Sequence, residues 1–243
     1  MKAIIFSLLV YFLPGTGLIF CQSLGISIGY GYLSMGEVNQ DLKDTENLFS
    51  SAGAKTNEPD EVKGGLFIEG NFKYSIGKFN LGITADYVSS SGNFSYGDQS
   101  GSLHEDYDVS TTEVLGLIEI IFPIELSSWQ PFVQLAAGVG FANAERTIDL
   151  RIYDPYAAYL NLQNKVDGNY FAGRIKVGVD YIIQNVMLEA AVGYRLANAG
   201  ELKGEQVENG TTYTDMYVDD INGSKVEFNY SGFFVTGGVS IKF

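Results

Sequence analysis

After residue 23 the chain alternates apolar and polar positions with a period of two. In the first such stretch, Leu24, Ile26, Ile28 and Tyr30 are separated by glycine and serine. This period is typical of β-strands whose two faces meet different surroundings. Eight stretches show it, at residues 24–32, 66–76, 79–88, 113–122, 131–141, 171–181, 186–196 and 233–243.

The connections between these stretches alternate in length. Residues 76–78, 123–130 and 182–185 form short joints, whereas residues 34–64, 89–112, 143–168 and 197–228 are long and polar. Ten residues at about 3.3 Å each, tilted by about 40°, rise roughly 25 Å, which matches the apolar band of an outer-membrane barrel. The pattern therefore predicts an all-β fold: a closed up-and-down antiparallel transmembrane β-barrel of eight strands, with short periplasmic turns and four long outer loops.

The charged residues are a partly independent check on which face of each strand is which, because the faces were assigned from the apolar residues alone. Every charged residue in the eight segments falls on the less apolar face, which we expect to line the lumen. Acids and bases are nearly equal in number on this face, which favours a salt-bridged polar plug because unpaired buried charge is costly. A narrow ion path is the alternative. The predicted lumen network is Glu69, Lys73, Asp86, Glu113, Glu119, Arg174, Lys176, Asp180, Glu189, Arg195 and Lys242.

A soluble lipocalin-like barrel would need the same faces inverted. Its interior would then hold the many aromatic residues of the apolar face, which are too bulky for eight strands. The aromatics also cluster at strand ends, as two membrane interfaces favour. The predicted turn-side girdle is Phe72, Tyr74, Phe79, Phe122, Tyr181 and Phe243 with Trp129, and the loop-side girdle is Tyr30, Tyr32, Tyr87, Phe141, Phe171, Tyr194 and Phe233.

The N-terminus predicts export. Lys2, an apolar run over residues 3–13 and a small-residue exit are typical of a signal peptide, which we assign to residues 1–22, leaving residues 23–243 as the barrel domain. Cleavage after Gly17 or near Cys21 both fit. Lipidation of Cys21 is an alternative, weakened because Phe20 occupies a position where a lipobox has a small residue.

Composition narrows the chemistry. The net charge is −14 with a pI near 4.4, which argues against nucleic acid as a partner. One cysteine and one histidine give no internal disulfide framework and little for metal or triad chemistry, so no cofactor, metal site or catalytic residue is expected. The four long connections together carry the whole net charge, which predicts a neutral barrel below an acidic outer crown.

Local signals suggest structure inside the long connections. Asp154-Pro155 before residues 156–160 predicts a short helix. Alternation over Thr212–Asp220, with Asn222-Gly223 after it, predicts a β-hairpin in the fourth connection, and a ten-stranded barrel that uses it is the architectural alternative. The EF-hand pattern fails around Asp220. A weak divalent-cation site among the loop carboxylates remains open.

The chain resembles the small eight-stranded outer-membrane β-barrels of the OmpA transmembrane-domain, OmpX and porin-opacity type, with a PorT-like barrel as a cousin. The resemblance covers residues 23–243. It rests on the strand pattern, on the segment Pro131–Gly140 and on the final strand that ends in Phe243. It implies a partnership with outer-membrane lipid and lipopolysaccharide. It also implies recognition by the barrel assembly machinery through Phe233, Val235, Val239, Ile241 and Phe243.

These observations predict an outer-membrane protein with a structural or surface-interaction role, in envelope integrity, adhesion or recognition of a host or surface ligand by the outer loops. A small selective channel is the alternative. A lipid-acting enzyme is a weaker one, since the only histidine, His104, is expected in the second loop, off the strands.

Overall fold

The computed structural model describes residues 22–124, 127–153 and 158–243. The predicted signal segment, including Cys21, lies outside the described residues except for Gln22, which begins the first strand. No helix in the described ranges is both long and apolar enough to cross a membrane.

One helix and a series of antiparallel strands make up the described chain. They are β1 (Gln22–Tyr32), α1 (Gly36–Ser51), β2 (Gly64–Ile76), β3 (Phe79–Gly97), β4 (Gly101–Ile121), β5 (Trp129–Ile152), β6 (Ala158–Ile183), β7 (Val186–Leu196), β8 (Asn198–Glu201), β9 (Lys203–Glu208), β10 (Thr211–Tyr217), β11 (Glu227–Asn229) and β12 (Gly232–Lys242).

Eight of these strands close into a ring. Strands β1 to β7 pair in sequence order, β7 pairs with β12, and β12 pairs with β1, so each of these strands pairs with two others of the ring. The register between β1 and β12 runs from Ser23 opposite Lys242 to Gly31 opposite Phe234. Closure leaves no unpaired edge in lipid. The predicted eight-stranded antiparallel barrel is therefore confirmed, and the ten-stranded alternative is wrong because β9 and β10 attach only to the upper part of β6.

An apolar belt covers the outside of the ring. Its side chains are about half exposed, among them Ile26, Ile83, Val139, Leu188 and Val235. Soluble monomers rarely expose such a large continuous apolar surface. Aromatic pairs lie at both rims of this belt, with Trp129 against Tyr181 at one end and Tyr194 against Phe233 at the other. We call this surface the lipid belt.

The second and third long connections are strands rather than loops. Strands β3 and β4 stay in register from Phe79 opposite Ile120 up to Gly97 opposite Ser102, and β5 and β6 continue to Ile152 opposite Ala158. The helix expected over residues 154–160 is therefore wrong for residues 158–160, which belong to β6; residues 154–157 lie outside the described residues. We call the parts of β3–β6 above the loop-side girdle, with α1 and β8–β11, the outer half.

The outer half has its own apolar core, and this was not expected from the sequence. Along β4 the odd-numbered residues are buried from Gly101 to Glu119, so the inward face does not change. Above the girdle that face carries Leu103, Tyr107 and Val109, while the outward face becomes polar. Because water surrounds this part of the sheet, the hydrophobic effect stabilises an apolar interior there.

Helix α1 closes the top of this core. Val38 and Leu42 are fully buried, and Asp41 and Thr45 lie on the same face. The spacing of these residues is that of one helical face. The helix ends at Ser51, and Gly53 follows with a positive φ of 91°, which lets the backbone donate back to the last carbonyls. The first connection is thus half helical instead of an extended loop.

The fourth connection forms a hairpin, but not at the predicted turn. Strands β9 and β10 meet at Asn209-Gly210, both with positive φ, as a two-residue hairpin turn requires. Asn222-Gly223 instead lies in a small turn closed by a single bridge between Asp219 and Lys225. Both dipeptides suit such turns, and pairing of β9 with β6 decides which one carries the hairpin.

Candidate functional site

The lumen is filled by interlocked ion pairs. Lys176 lies 2.9 Å from Glu69 and 2.9 Å from Glu189, and Lys73 lies 2.6 Å from Glu119 and 3.7 Å from Glu189. All of these side chains are buried. Because Lys176 and Glu189 each have two partners of opposite charge, the cluster connects β2, β4, β6 and β7 across the lumen.

A second set of ion pairs lies closer to the outer half. Arg174 contacts both Glu69 and Asp86 at 2.8 Å. Arg195 lies 3.6 Å from Glu113 and donates to the backbone carbonyl of Tyr230 at 2.6 Å. The polar interior of the barrel is thereby joined to the segment between β11 and β12.

The structure buries ten of the eleven predicted lumen residues. Asp180 is buried beside Lys73, with which it interacts electrostatically. Lys242 is the exception: it is only half-buried, at the turn-side mouth, and no ion pair within the described ranges includes it. It therefore does not belong to the network as predicted, because the barrel mouth gives it access to solvent.

Neutral side chains complete the network, and the prediction from charges missed them. Ser27 donates to Glu189, Asn80 and Gln134 donate to Glu119, and Tyr170 donates to Glu113 at 2.7 Å. They occupy inward positions of the same strands. The alternation pattern could have identified them if every inward polar residue had been considered.

Aromatic rings fill the rest of the lumen by lying over glycines on neighbouring strands. Phe132 covers Gly178, where an added Cβ would come within 2.6 Å of the ring. Phe234 covers Gly193, where an added Cβ would come within 2.3 Å of the ring. Phe234 also stacks on Phe67 with ring centroids 4.9 Å apart. With the ion pairs, these rings occupy part of the lumen.

A separate buried cluster fastens the outer half, and we call it the latch cluster: Asp41, Glu105, Tyr107 and Arg146. Arg146 lies 2.7 Å from Asp41 of α1 and donates through Nε to Glu105 at 2.7 Å. Tyr107 donates to Asp41 at 2.6 Å. Arg146 also donates to the carbonyl of Asp219, so one guanidinium connects the barrel wall, the helix and the fourth connection.

Burial controls the protonation of the latch cluster, which lies outside the membrane-spanning segments. Desolvation raises the pKa of Glu105 above its usual value of 4.5, against the opposing effect of the Arg146 guanidinium. Desolvation and the neighbouring carboxylates also raise the pKa of Tyr107 well above 10, so this phenol stays a hydrogen-bond donor. The sequence prediction missed this cluster because it ended the strands at the girdle; Glu105 and Arg146 continue the inward phase of β4 and β5.

His104 lies on β4, not in a loop as expected, because the β3–β4 hairpin extends past it. Its Nδ1 is 2.6 Å from the Ser95 hydroxyl and its Nε2 is 2.7 Å from Asp106. The three side chains share the outward face of the hairpin. Serine, histidine and aspartate are thus in contact, but on an open surface.

The residues of the predicted assembly signal lie on the last ring strand and just after it. Phe233, Val235, Val239, Ile241 and Phe243 all point outward into the lipid belt, with exposed fractions between 41% and 66%. Recognition of these residues by the barrel assembly machinery stays a prediction.

Carboxylates of the outer half do not form a metal cluster in the part of the chain that the structure describes. Asp220 accepts hydrogen bonds from the backbone of Asn222 and Ser224, which gives it the role of a turn residue. The expected acidic crown is also incomplete as a surface feature, because Asp41 and Glu105 are buried in the latch cluster.

The closed ring, the lipid belt and its aromatic rims identify the chain as an outer-membrane β-barrel protein. The resemblance to small eight-stranded barrels is confirmed at the level of the fold. No family model matches the chain, and no curated protein matches it.

Several solved structures are similar to the chain at low identity. Neisserial surface protein A is 12% identical, with 92% of this chain and 97% of that chain covered at a TM-score of 0.38. The N-terminal β-barrel domain of Pseudomonas aeruginosa OprF is 12% identical, with 91% and 97% covered at 0.34. Ail of Yersinia pestis, in complex with the heparin analogue sucrose octasulfate, is 12% identical, with 91% and 99% covered at 0.36.

Proposed function

We propose that this protein is a surface-recognition protein, in which the membrane barrel anchors a folded and acidic outer half that contacts partners outside the cell. The observation that carries the proposal is the separate core of the outer half, where Val38 and Leu42 of α1 pack with the inward residues of the extended hairpins. Loops that only connected barrel strands would not need such a core. A rigid sheet presents its side chains at fixed positions, which favours specific contact.

The charge of the outer half indicates the chemistry of the partner. Exposed acids line the β9–β10 hairpin, including Glu205 and Asp215, and the β3–β4 hairpin carries Asp98 near its tip. Hydrogen bonds from Ser100 and Tyr96 lower the pKa of Asp98 to about 2, so it stays ionised. An acidic surface attracts cationic partners and repels polyanions, with screening beyond roughly 8–10 Å. A basic protein surface is therefore the proposed ligand.

The experiment uses the folded barrel in nanodiscs and polylysine or polyglutamate as probes. We expect binding of polylysine alone, weakening with added salt. The triple variant Glu205→Gln, Glu208→Gln, Asp215→Asn should bind polylysine several-fold more weakly, whereas Lys203→Gln on the same hairpin should bind it at least as well as the parent. Equal binding of both probes by the parent protein would contradict the proposal.

The proposed function does not involve conduction of ions through the barrel. The doubly paired Lys176 and the rings of Phe132 and Phe234 occupy the lumen, and α1 lies above it. We expect no openings above background when the folded protein is placed in a planar bilayer. Steady unitary currents would favour the small selective channel instead.

We also propose that the protein is not an enzyme. His104 contacts both Ser95 and Asp106 on an open face, and catalysis needs a pocket that positions the substrate. His104→Ala should leave any lipid or ester hydrolysis by the purified protein unchanged. A loss of hydrolysis on this substitution would support the enzyme alternative.

A further inference from the structure

A polar depression of about 680 Å³ lies on the outside of the sheet, directly above the lipid belt. It is lined by outward residues of β3, β4, β5 and β6, which form its floor, and by the inward residues between them, with Gly64 and Gly65 of β2 at one side and Tyr87 of the girdle at its lower rim. The inward residues in the lining are Ser90, Val109, Ala144 and Val166. This volume falls within the range of about 300–1,000 Å³ that small-molecule sites occupy.

The strand register arranges the floor in two rows. The lower row, next to the girdle, is Ser89, Ser110, Asn143 and Asp167, and the upper row is Ser91, Asp108, Glu145 and Lys165. Neighbouring strands are about 4.8 Å apart, and next-but-one residues on a strand are about 7 Å apart. The floor is thus a polar field about 15 Å wide and about 7 Å high.

Most of the hydrogen-bonding capacity of this floor is not used within the protein. Glu145 pairs with Lys165 at 3.4 Å and accepts from Gln163. In the described ranges, the side chains of the other six floor residues have no hydrogen bond or ion pair. Outward polar residues higher on the same strands do pair with one another, as His104 does with Ser95 and Arg151 does with Asp149.

The position of the depression restricts the ligand. It is continuous with the lipid belt, so a molecule whose chains lie on Ile83 and Val139 would place its headgroup on the two rows. Hydroxyl, amide and carboxylate groups suit a polyhydroxylated ligand. Asp108 and Asp167 have no cationic partner and disfavour a bare phosphate. We propose that the depression binds the sugar headgroup of a glycolipid in the outer leaflet.

This proposal is independent of the surface-recognition function, because it concerns the membrane-facing rim and not the upper surface. The experiment reconstitutes the full barrel in vesicles that contain phospholipid and a short-sugar lipopolysaccharide. Native mass spectrometry then measures which lipid remains bound after extraction into mild detergent. We expect the parent protein to retain the glycolipid in clear preference to phospholipid, with and without a chelator of divalent cations.

Two variants remove the site in different ways. The double variant Asp108→Ala, Asn143→Ala deletes hydrogen-bond acceptors, and we expect about tenfold weaker retention from the loss of about two such bonds. Ser110→Trp fills the floor and should have at least as large an effect. Asn93→Ala and Thr147→Trp are the matched controls, since they lie on the outward face of the same hairpins above the two rows. Heat-modifiable gel migration verifies that each variant folds.

Three results would overturn the proposal. One is glycolipid retention in both site variants equal to that of the parent, and another is an equal loss in the control variants. The third is loss of retention by the parent on chelation, because phosphates bridged by cations would then hold the lipid in place of sugar contacts.

Discussion

The membrane half and the outer half of this barrel are built from the same strands but with opposite chemistry. On β4, Ile118 and Val114 face lipid while Glu119 and Glu113 face the lumen. Farther along the same strand, Asp108 and His104 face outward while Tyr107 and Leu103 are buried. The side-chain direction alternates without interruption, and only the kind of residue at each position changes.

The difference between the two halves shows that the medium around the barrel, lipid or water, decides which face of a strand is apolar. Lipid outside the membrane half requires apolar outward residues, and the lumen then accepts charges if they are paired. Water outside the outer half allows polar outward residues, and the interior becomes an ordinary hydrophobic core. The two halves are therefore stabilised by different interactions, which substitutions can separate.

The largest effect is expected in the lumen. Lys176→Met would leave Glu69 and Glu189 with one fewer cation in a buried site, at a cost of about 3–5 kcal/mol. Urea unfolding in lipid vesicles, followed by heat-modifiable migration, measures this loss. The control Lys242→Met changes the same residue type at the open mouth and should cost much less. Equal losses would mean that the lumen is wet and the ion pairs are weak.

Arg146→Met should have a similar cost of about 3–5 kcal/mol, confined to the outer half. It leaves Asp41 and Glu105 buried without their cation, so α1 should become sensitive to limited proteolysis. The membrane half should keep its heat-modifiable migration. Arg151→Met, which removes an exposed arginine from the same strand, should leave the proteolysis rate almost unchanged. If Arg146→Met unfolds the membrane half as well, the two halves are not separable.

Leu42→Ala tests the apolar core of the outer half. Leu42 is fully buried, and its truncation should cost about 2–4 kcal/mol and accelerate proteolysis of α1. Leu81→Ala, on the lipid belt, should have a smaller effect because acyl chains can occupy the space. The same proteolysis and urea measurements apply to both variants. A larger effect at Leu81 would contradict the assignment of water to one wall and lipid to the other.

The smallest effect concerns pH. Because burial raises the pKa of Glu105, the folded outer half holds this proton more tightly than the unfolded chain does. The contribution of Glu105 is therefore most stabilising below its ordinary pKa of 4.5 and is lost as pH rises through the higher folded value. Protection of α1 should increase as the pH falls through the raised pKa of Glu105 toward its ordinary value of 4.5.

Glu105→Gln should flatten this response and leave stability at pH 7 equal to or above that of the parent. Proteolysis rates, corrected for protease activity on an unfolded peptide, measure it. Glu205→Gln, an exposed acid in the same half, should keep the parent's response. An unchanged slope in Glu105→Gln would assign the pH dependence to other groups.

The membrane half was predictable because each position there obeys a local rule. The period of two placed Glu69 and Lys176 in the lumen, and the alternating lengths of the connections indicated one turn side and one loop side. The outer half was harder, since residues 89–112 and 143–168 are polar enough to be taken for loops. Phe94, Tyr107 and Ala144 continue the inward phase, but their outward neighbours are no longer apolar.

The sequence by itself determined the eight-stranded barrel, its lipid belt and the inward placement of its charges, because a side chain's face follows from its parity along a strand. Only the tertiary structure decided which residues meet. Residues far apart in the chain, such as Asp41 and Arg146, come together through packing of α1 against the extended sheet. Cross-strand register likewise sets Asn143 beside Asp167, and no local pattern specifies that pairing.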